Sequence, residues 1–361
     1  MTRGIAINGR FLGRPISGVE RYGREMLAAW DAMIPFVPGH PPVRIVAPKG
    51  VEPGMALNNM AFEPLGRLRG HAWEQVELLG ATRGEVLVGL ANSGPVLHPR
   101  QLVVIHDAAV FRFPENYGFR YRALHQTLCR LFARRARLAT VSEFSRSELE
   151  HYLGVAAERV TVCPNGADHL GKVAPDGAII ERLALGGERV ILAVGSASRN
   201  KNLGLILDAW QKLKPGRGRL VVVGPVNERI FASAGGMADV QGVSYPGRVS
   251  DAELAALYRR ADAFVFPSRY EGFGIPPLEA MANGCRVFAS DIAPLREVCG
   301  DAARYFGVDD VDGLAGLMAE VLSADPLLPP PLSAMAERLE RYRWAKSAAA
   351  LAGIAQDMAE A

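Results

Sequence analysis

The pattern of strand and helix is clearest in residues 263–289, which read AFVFPSRYEGFGIPPLEAMANGCRVFA. The apolar run Phe264–Phe266 predicts a buried strand, and Val287–Ala289 predicts another. Between them, the apolar spacing of Pro276–Asn283 predicts a short helix with proline in its first turn. A strand, a loop, a helix and a second strand form the repeating unit of a parallel sheet covered by helices.

The same alternation extends from this segment towards both ends of the chain. Further strands are predicted at Gly4–Ile7, Val43–Val46, Val86–Val88, Leu102–Ile105, Leu138–Val141, Val160–Val162, Val190–Val194, Leu220–Val223 and Val243–Tyr245. Further helices are predicted at Val19–Trp30, Gly118–Ala136 and Leu203–Leu213, from Asp251 and Val311, and at Leu332–Met358 after the proline run Pro326–Pro331. The fold class is therefore α/β, with doubly wound parallel sheets.

The length of the chain favours two such domains. Its 361 residues exceed the roughly 150 residues of a typical domain by more than twofold. The turn signal Cys163-Pro164-Asn165-Gly166 and the polar stretch after it place the boundary near residues 167–178. We therefore expect one domain at 1–172 and a second at 173–341.

Composition excludes several classes of protein. The 41 basic and 38 acidic residues are too balanced for a dedicated nucleic-acid binder, so we expect no nucleic-acid partner. No apolar run approaches the ~18 residues of a membrane-spanning helix, and Arg3 stands too early for a secretory signal, which favours the cytoplasm. The four cysteines lie far apart and suggest neither a zinc site nor a disulfide framework.

The loop after Phe266 carries residues suited to a charged ligand. Glycines at 272 and 274 let the backbone approach a ligand closely, and a helix N-terminus favours an anion such as a diphosphate. Glu271 and Glu279, eight positions apart, would face different parts of that ligand. From physical reasoning alone, a strand-to-helix turn with two solvated carboxylates explains the segment equally well.

The segment from Glu271 to Glu279 resembles the E-x7-E motif of retaining glycosyltransferases with the GT-B fold, of the family 4 type. Five further segments resemble other blocks of that family and occur in the same order along the chain: Gly18-Val19-Glu20-Arg21-Tyr22, Val104-Ile105-His106-Asp107, Thr140–Ser145, Pro164-Asn165-Gly166 and Val194–Leu203. The resemblance covers nearly the whole chain and is strongest to bacterial mannosyltransferase-like enzymes of polysaccharide assembly. It implies two Rossmann-like domains facing a cleft, with the acceptor in the first, the nucleotide sugar in the second, and the helix at about 342–361 packed back on the first.

The resemblance also implies roles for particular residues. Lys201 would stabilise the charge that develops on the β-phosphate of the leaving diphosphate, and Arg199 could add a fork of donors. Arg199 is a candidate substitute for an arginine that many relatives carry directly after the glycine, because Ser196 stands at that position here. The alternative interpretation is a pair of solvent-facing charges at a helix start.

His106 is expected to contact the donor sugar, and Asp107 could orient His106 or the acceptor. Without the resemblance, the His-Asp pair reads as a turn, and Gly18 reads as a turn glycine rather than as an approach to the diphosphate. Donor binding is assigned to Glu279, Gly18, Gly195, Gly272, Phe273, Gly274 and Ile275, and catalysis to Lys201, Glu271, His106 and Arg199.

Two further patterns compete for a function. Asp310-Val311-Asp312 matches a D-x-D metal motif, but it opens a predicted helix, where aspartates act as caps. The arginine-rich helix near residues 120–137 carries an apolar stripe that indicates packing on a sheet: Tyr121, Leu124, Leu128, Leu131 and Phe132. Its arginines leave contact with an anionic membrane surface as an open alternative.

The expected activity is transfer of a hexose from a nucleotide sugar to a hydroxyl of a saccharide or lipid-linked saccharide, with retention at the anomeric carbon. GDP-mannose is the first candidate donor, followed by GDP-rhamnose and UDP-glucose, and neither a metal nor another cofactor is expected. The leaving diphosphate would be stabilised by Lys201, Arg199 and the helix N-terminus near Ile275. A nucleotide-sugar 2-epimerase and a noncatalytic sugar-nucleotide-binding assembly protein remain alternatives, whereas the missing G-x-G-x-x-G disfavours a nicotinamide oxidoreductase.

Overall fold

The computed structural model describes residues 2–196, 198–213, 218–225, 240–323 and 327–361, so Pro326 of the predicted proline break lies outside them. The chain divides into two compact units, one formed by the chain up to Asn165 with Tyr342–Ala361, the other by Gly166–Arg341. The division falls earlier than the predicted 172 because His169 and Leu170 are buried and the turn Leu170–Lys172 packs on helices of the second unit.

The first unit contains a parallel sheet that, in the described residues, has seven strands in the order β3-β2-β1-β4-β5-β6-β7. The strands are β1 Ile5–Asn8, β2 Val43–Pro48, β3 Ala61–Leu65, β4 Val86–Gly89, β5 Gln101–Val104, β6 Arg137–Thr140 and β7 Val160–Val162. The central strands β1, β4 and β5 are buried throughout, as expected of a sheet covered on both faces. The sequence missed β3 because this edge strand contains Pro64 and is largely exposed.

The helices of the first unit are α1 Gly18–Met33, α2 Gly70–Trp73, α3 Leu79–Thr82, α4 Ala109–Arg112, α5 Phe119–Arg135, α6 Glu143–Leu153 and, at the end of the chain, α14 Trp344–Glu360. Helix α6 begins where the Ser142 hydroxyl accepts a hydrogen bond from the Ser145 amide, and it ends at Gly154, whose φ is +65°. Of the predicted stripe in α5, Leu128 and Phe132 are buried, whereas Tyr121 and Leu124 are exposed.

The second unit contains a parallel sheet that, in the described part of the chain, has six strands in the order β10-β9-β8-β11-β12-β13. The strands are β8 Arg189–Val194, β9 Gly218–Val223, β10 Val243–Gly247, β11 Ala263–Phe266, β12 Val287–Ser290 and β13 Ala303–Phe306. The sequence missed β13, an edge strand whose short ARYF sequence lacks a continuous apolar run.

Within its described residues, the second unit has the helices α7 Ala178–Arg182, α8 Leu203–Lys212, α9 Asp251–Arg260, α10 Ile275–Ala282, α11 Ala293–Cys299, α12 Val311–Ser323 and α13 Leu332–Arg341. A capping box formed by Ser250 and Glu253 opens α9, the helix that the sequence predicts from Asp251. The predicted last helix, Leu332–Met358, is two helices, because the chain leaves helical geometry between Arg341 and Trp344.

Each sheet reverses its strand order beside its first strand, next to β4 in the first unit and next to β11 in the second. Ligands of open α/β sheets bind beyond the carboxyl ends of the strands at such a switch point. In the second unit, the loop after β8 contains Gly195 and the loop after β11 contains Glu271. Among the described residues, no helix has both the length and the apolar character needed to span a bilayer.

Candidate active site

The loops after β8 and β11 form the candidate site of the second unit. They are joined directly, because the amide of Arg269 donates a hydrogen bond to the carbonyl of Asn200 over 2.8 Å. The Gly195 amide continues the sheet by donating to Val223 (2.9 Å). A Cβ at Gly195 would lie 3.5 Å from the Cβ of Lys201, so this glycine runs directly beside the lysine.

Lys201 and Glu271 form an ion pair at this point. The Nζ of Lys201 donates to Oε1 of Glu271 over 2.6 Å and lies 5.3 Å from the centre of the Phe266 ring. The side chains of Lys201 and Glu271 are 26% and 13% exposed, so the pair is largely shielded from solvent but remains accessible to a ligand. The backbone turns sharply after Lys201, where Asn202 adopts a left-handed conformation (φ +51°) and its side chain bonds the Val308 carbonyl. The structure thus brings together two predicted catalytic residues that are 70 positions apart.

Arg199 opens the short 3-10 turn Arg199–Lys201 and is exposed. Its guanidinium has no hydrogen-bond or ion-pair partner among the residues that the structure describes. Ser196 is exposed in the same loop. The role of Arg199 as a substitute for the family arginine stays a prediction.

Glu279 is buried in α10 and is held by two side chains that sequence reasoning missed. His169 Nε2 donates to Oε1 over 3.0 Å, and the hydroxyl of Tyr258 donates to Oε2 over 3.1 Å. Burial and the nearby Glu279 carboxylate raise the pKa of Tyr258 well above its usual range, so its hydroxyl stays a donor. A lone histidine 110 residues from Glu279 and a tyrosine on the buried face of an amphipathic helix form no recognisable sequence motif.

The segment 272–275 leads into α10 through Gly274, whose φ is +96°. A Cβ there would lie 2.6 Å from Leu295 Cδ2, so both conformation and space require glycine. Ile275 is the first helical residue, and prolines follow it at 276 and 277. Of the first four helical residues, only Ile275 and Leu278 therefore carry an amide hydrogen. The expected anion site retains the helix dipole but has fewer backbone donors than an ordinary helix start.

In the first unit, His106 follows β5 and is buried. Burial lowers its pKa to about 4, so the imidazole is neutral at pH 7. Its Nε2 lies 2.9 Å from the carbonyl of Leu90, and because a carbonyl only accepts, Nε2 carries the proton. Nδ1 consequently holds the lone pair and can accept a hydrogen bond from a hydroxyl.

Asp107 and Gly18 have identifiable local roles. The Asp107 carboxylate accepts from the Ala109 amide over 2.9 Å at the start of α4, as a turn residue would. Gly18 is the first residue of α1, with open space around its Cα. Beside it, the buried Glu20 accepts a hydrogen bond from the Ser17 hydroxyl and lies 3.7 Å from Arg14 Nη1. The predicted ligand contacts of His106 and Gly18 stay predictions.

The D-x-D segment is a helix cap, as the sequence analysis favours. Asp310 Oδ1 accepts from the Gly313 amide over 2.8 Å at the start of α12, and Asp312 pairs with Lys212 on α8 at 2.5 Å. No three His, Cys, Asp or Glu side chains within the described ranges converge as a cation site requires.

Comparison with protein families matches both units. Residues 16–169 match the model for Glycosyltransferase Family 4, and residues 178–341 match the model for Glycosyl transferases group 1. The two models together span most of the chain. They include Gly18 and His106 in the first match and Lys201, Glu271 and Glu279 in the second.

Among curated proteins, the chain is 29% identical over 236 residues to O-antigen chain mannosyltransferase B of Escherichia coli, covering 63% of this chain and 62% of that protein. It is 31% identical over 210 residues to phosphatidyl-myo-inositol mannosyltransferase of Mycolicibacterium smegmatis, covering 56% and 53%. The chain thus spans less than two thirds of the length of these relatives.

Among solved structures, sucrose-phosphate synthase from Thermosynechococcus elongatus superposes with a TM-score of 0.75 at 17% identity, covering 99% of both chains. A likeness at this identity concerns the fold alone. With the two parallel sheets described above, it confirms the expected GT-B class.

Proposed function

We propose, from the premise that the chain belongs to the glycosyltransferase families of these two models, that it transfers a hexose from a nucleotide sugar to a hydroxyl acceptor with retention at the anomeric carbon. Mannose is the first candidate, because the curated relatives described above are named mannosyltransferases. The acceptor is a saccharide or a lipid-linked saccharide of cell-surface polysaccharide assembly. We place this activity in the cytoplasm, at the inner face of the membrane.

The observation that carries the proposal is the Lys201–Glu271 pair at the switch point of the second unit. Breaking the bond between a sugar and a nucleoside diphosphate places negative charge on the β-phosphate. A fixed ammonium stabilises this charge more in the transition state than in the ground state. Glu271 holds the ammonium in place before the diphosphate arrives and, in this proposal, orients the donor sugar during departure.

Donor binding tests the proposal most directly. Thermal unfolding is measured with GDP, GDP-mannose, GDP-rhamnose, UDP and UDP-glucose at one common concentration, because a ligand at about 100 times its dissociation constant stabilises by about 2.7 kcal/mol and a weaker ligand stabilises less. We expect GDP and GDP-mannose to raise the melting temperature most. A larger shift with UDP-glucose would make UDP-glucose, rather than GDP-mannose, the proposed donor. The absence of any shift would overturn the proposal.

The two glutamates are expected to fail in different ways. Glu279, assigned to the ribose hydroxyls, acts equally in ground and transition states, so Glu279→Gln mainly raises the donor KM. Glu271→Gln mainly lowers kcat, because its contacts matter during departure. Hydrogen bonds to a carboxylate contribute about 1.5–3 kcal/mol, so either effect is on the order of 10- to 150-fold. Kinetics with donor varied at saturating acceptor measure the split, and identical profiles would remove this division of roles.

Two alternative activities give different products. An epimerase releases the epimerised sugar with no acceptor present, and a noncatalytic binding protein turns over no donor under any acceptor. The proposal requires transfer to an acceptor, with the anomeric configuration read by proton NMR. We also propose that transfer needs no divalent cation, so activity should persist in excess EDTA.

We propose an anionic membrane surface as a further partner, contacted by α5. Three apolar side chains in its first two turns are exposed: Phe119 (73%), Tyr121 (51%) and Leu124 (43%). Arginines lie beside and after them, with Arg122 5.7 Å from the Phe119 ring and Arg134 and Arg135 exposed in the last turn. Exposed aromatic and aliphatic side chains together with arginines are part of the composition of interfacial helices.

Sedimentation with vesicles tests this contact. Phe119→Ser with Leu124→Ser should weaken binding to vesicles containing phosphatidylglycerol. Changing Arg130, Arg134 and Arg135 to glutamine should weaken it by about 1 kcal/mol for each arginine near the surface. Leu97→Ser is the matched control, since Leu97 is 65% exposed elsewhere in the same unit. Equal sedimentation of all variants, or none of the parent protein, would remove the membrane from the proposal.

A further inference from the structure

Glu279 lies in a buried hydrogen-bonded group with His169 and Tyr258. His169 and Glu279 have side chains only 5% and 9% exposed, and Tyr258 is fully buried. Each partner takes a different carboxylate oxygen, His169 binding Oε1 and Tyr258 binding Oε2. The carboxylate therefore has one restraint on each oxygen, which fixes its rotation as well as its position.

The three residues come from separate parts of the second unit. His169 precedes the turn Leu170–Lys172, Tyr258 lies on α9, and Glu279 lies on α10. The turn packs on both helices, and α9 packs on α10. The bonds therefore hold the start of the second unit against the helix that follows the candidate site.

A carboxylate can accept about four hydrogen bonds, and the two protein donors occupy two of them. One acceptor position on each oxygen remains for a pair of neighbouring hydroxyl groups. The two protein donors preorganise the carboxylate. An unrestrained carboxylate would lose rotational freedom when it binds a ligand, whereas this one is already fixed.

We propose that His169 and Tyr258 are positioning residues that aim the Glu279 carboxylate at the 2′- and 3′-hydroxyl groups of the donor ribose. This inference rests on the proposed function. It assigns to two residues outside the recognised motifs a role in selecting a ribonucleotide over a nucleotide that lacks these hydroxyls. A purely structural network would stabilise the second unit without affecting that selection.

The test compares dissociation constants of GDP and 2′,3′-dideoxy-GDP by isothermal titration calorimetry. The parent protein should prefer GDP by about 10- to 150-fold, the range for hydrogen bonds to a charged group. Tyr258→Phe and His169→Leu should each lower this preference by about 5-fold or more relative to the parent protein, whereas His169→Gln, which keeps an N–H donor, should retain most of it. Tyr305→Phe is the matched control, because its hydroxyl donates to Gly300 in the same unit over 2.6 Å.

The ratio of the two constants does not depend on the folded fraction, so a destabilised variant remains informative. Unchanged ratios in Tyr258→Phe and His169→Leu, with GDP still bound, would overturn the positioning role and leave the proposed function intact. A parent protein that binds both nucleotides equally would overturn the inference as well. If the parent protein binds no nucleoside diphosphate, including UDP, the proposed function itself fails.

Discussion

Lys201 is the side chain whose charge matters most to the proposed chemistry. Lys201→Ala should lower kcat by a factor on the order of 10² to 10³, since it removes a charge matched to the leaving diphosphate. The variant also leaves the Glu271 carboxylate without its 2.6 Å partner, so binding of the nucleoside diphosphate product should weaken too. Steady-state and product-inhibition kinetics measure both effects.

Lys212→Ala is the control for this variant. Lys212 pairs with Asp312 at 2.5 Å on the surface of the same unit, with half of its side chain exposed. Surface pairs contribute about 0–1 kcal/mol, so activity should stay within about twofold. Normal turnover of Lys201→Ala would show that backbone donors or Arg199 suffice.

His106 shows how burial selects one form of a titratable group. With a folded-state pKa of about 4, below the ordinary 6.5, His106 should stay neutral through physiological pH. The unfolded chain takes up the proton first as pH falls, so the stability contributed by neutral His106 is present above pH 6.5 and is lost between about 6.5 and 4.

Nitrogen-15 NMR of the histidine side chains measures this directly, with His106→Gln assigning the signal. The spectrum should show an Nε2-protonated ring at pH 7 that titrates near pH 4. Titration near 6.5, or a proton on Nδ1, would contradict the geometry that leaves Nδ1 as the acceptor.

At the scale of elements, the end of β9 is packed against the loop after β8. Gly224 has a φ of +137°, and a Cβ there would lie 2.0 Å from the carbonyl oxygen of Gly195. Gly224→Ala should therefore push the Gly195 loop away and cost at least about 1–3 kcal/mol in backbone strain. The melting temperature should fall by several degrees, and stabilisation by GDP should decrease.

Gly204→Ala provides the comparison within the same unit. Gly204 lies in α8, and a Cβ there meets nothing within 4 Å, so alanine should be neutral or stabilise the helix by about 0.5–1 kcal/mol. Equal melting temperatures for the two variants would show that the Gly195 loop can move without cost.

The order of these elements could be predicted because buried parallel strands are nearly continuous apolar runs. The edge strands β3 and β13 lack such runs, so they escaped prediction. Lys201 and Glu271 were expected to act together through resemblance to a family, and the adjacency of β8 and β11 supplies the physical reason. His169 and Tyr258 could not be found, because their contact with Glu279 depends on tertiary packing and on no local pattern.

The arginine-rich helix α5 shows what hydrophobic periodicity in the sequence cannot predict. Its apolar residues repeat with helical spacing from Tyr121 to Phe132, which predicts one continuous buried face. Burial begins only at Leu128, where the helix joins the core formed by Val103, Leu138 and their neighbours. Periodicity indicates which side chains share a face, whereas the tertiary structure determines how much of that face is covered.

At the scale of the whole molecule, the chain leaves the first unit after Asn165 and returns to it at Tyr342. The returning helix α14 packs on α1 and completes the core of the first unit with small apolar residues and Trp344. The Trp344 ring lies 5.9 Å from the Tyr22 ring, edge to face, and Tyr22 lies 4.8 Å from His106 in the same way. Tyr22 therefore links the C-terminal helix to the surroundings of His106.

Because α13 belongs to the second unit and α14 to the first, core substitutions in these two neighbouring helices should destabilise different units. Trp344→Ala should destabilise the first unit by about 3–5 kcal/mol, because a fully buried indole is removed. Met335→Ala, in α13, removes a buried side chain of the second unit and should cost about 2–5 kcal/mol there. Calorimetry should resolve a transition for each unit, the first lowered by Trp344→Ala and the second lowered by Met335→Ala and raised by GDP. A single transition that both substitutions lower would show that the two units unfold as one cooperative body, and that the returning helix stabilises the whole chain rather than the first unit.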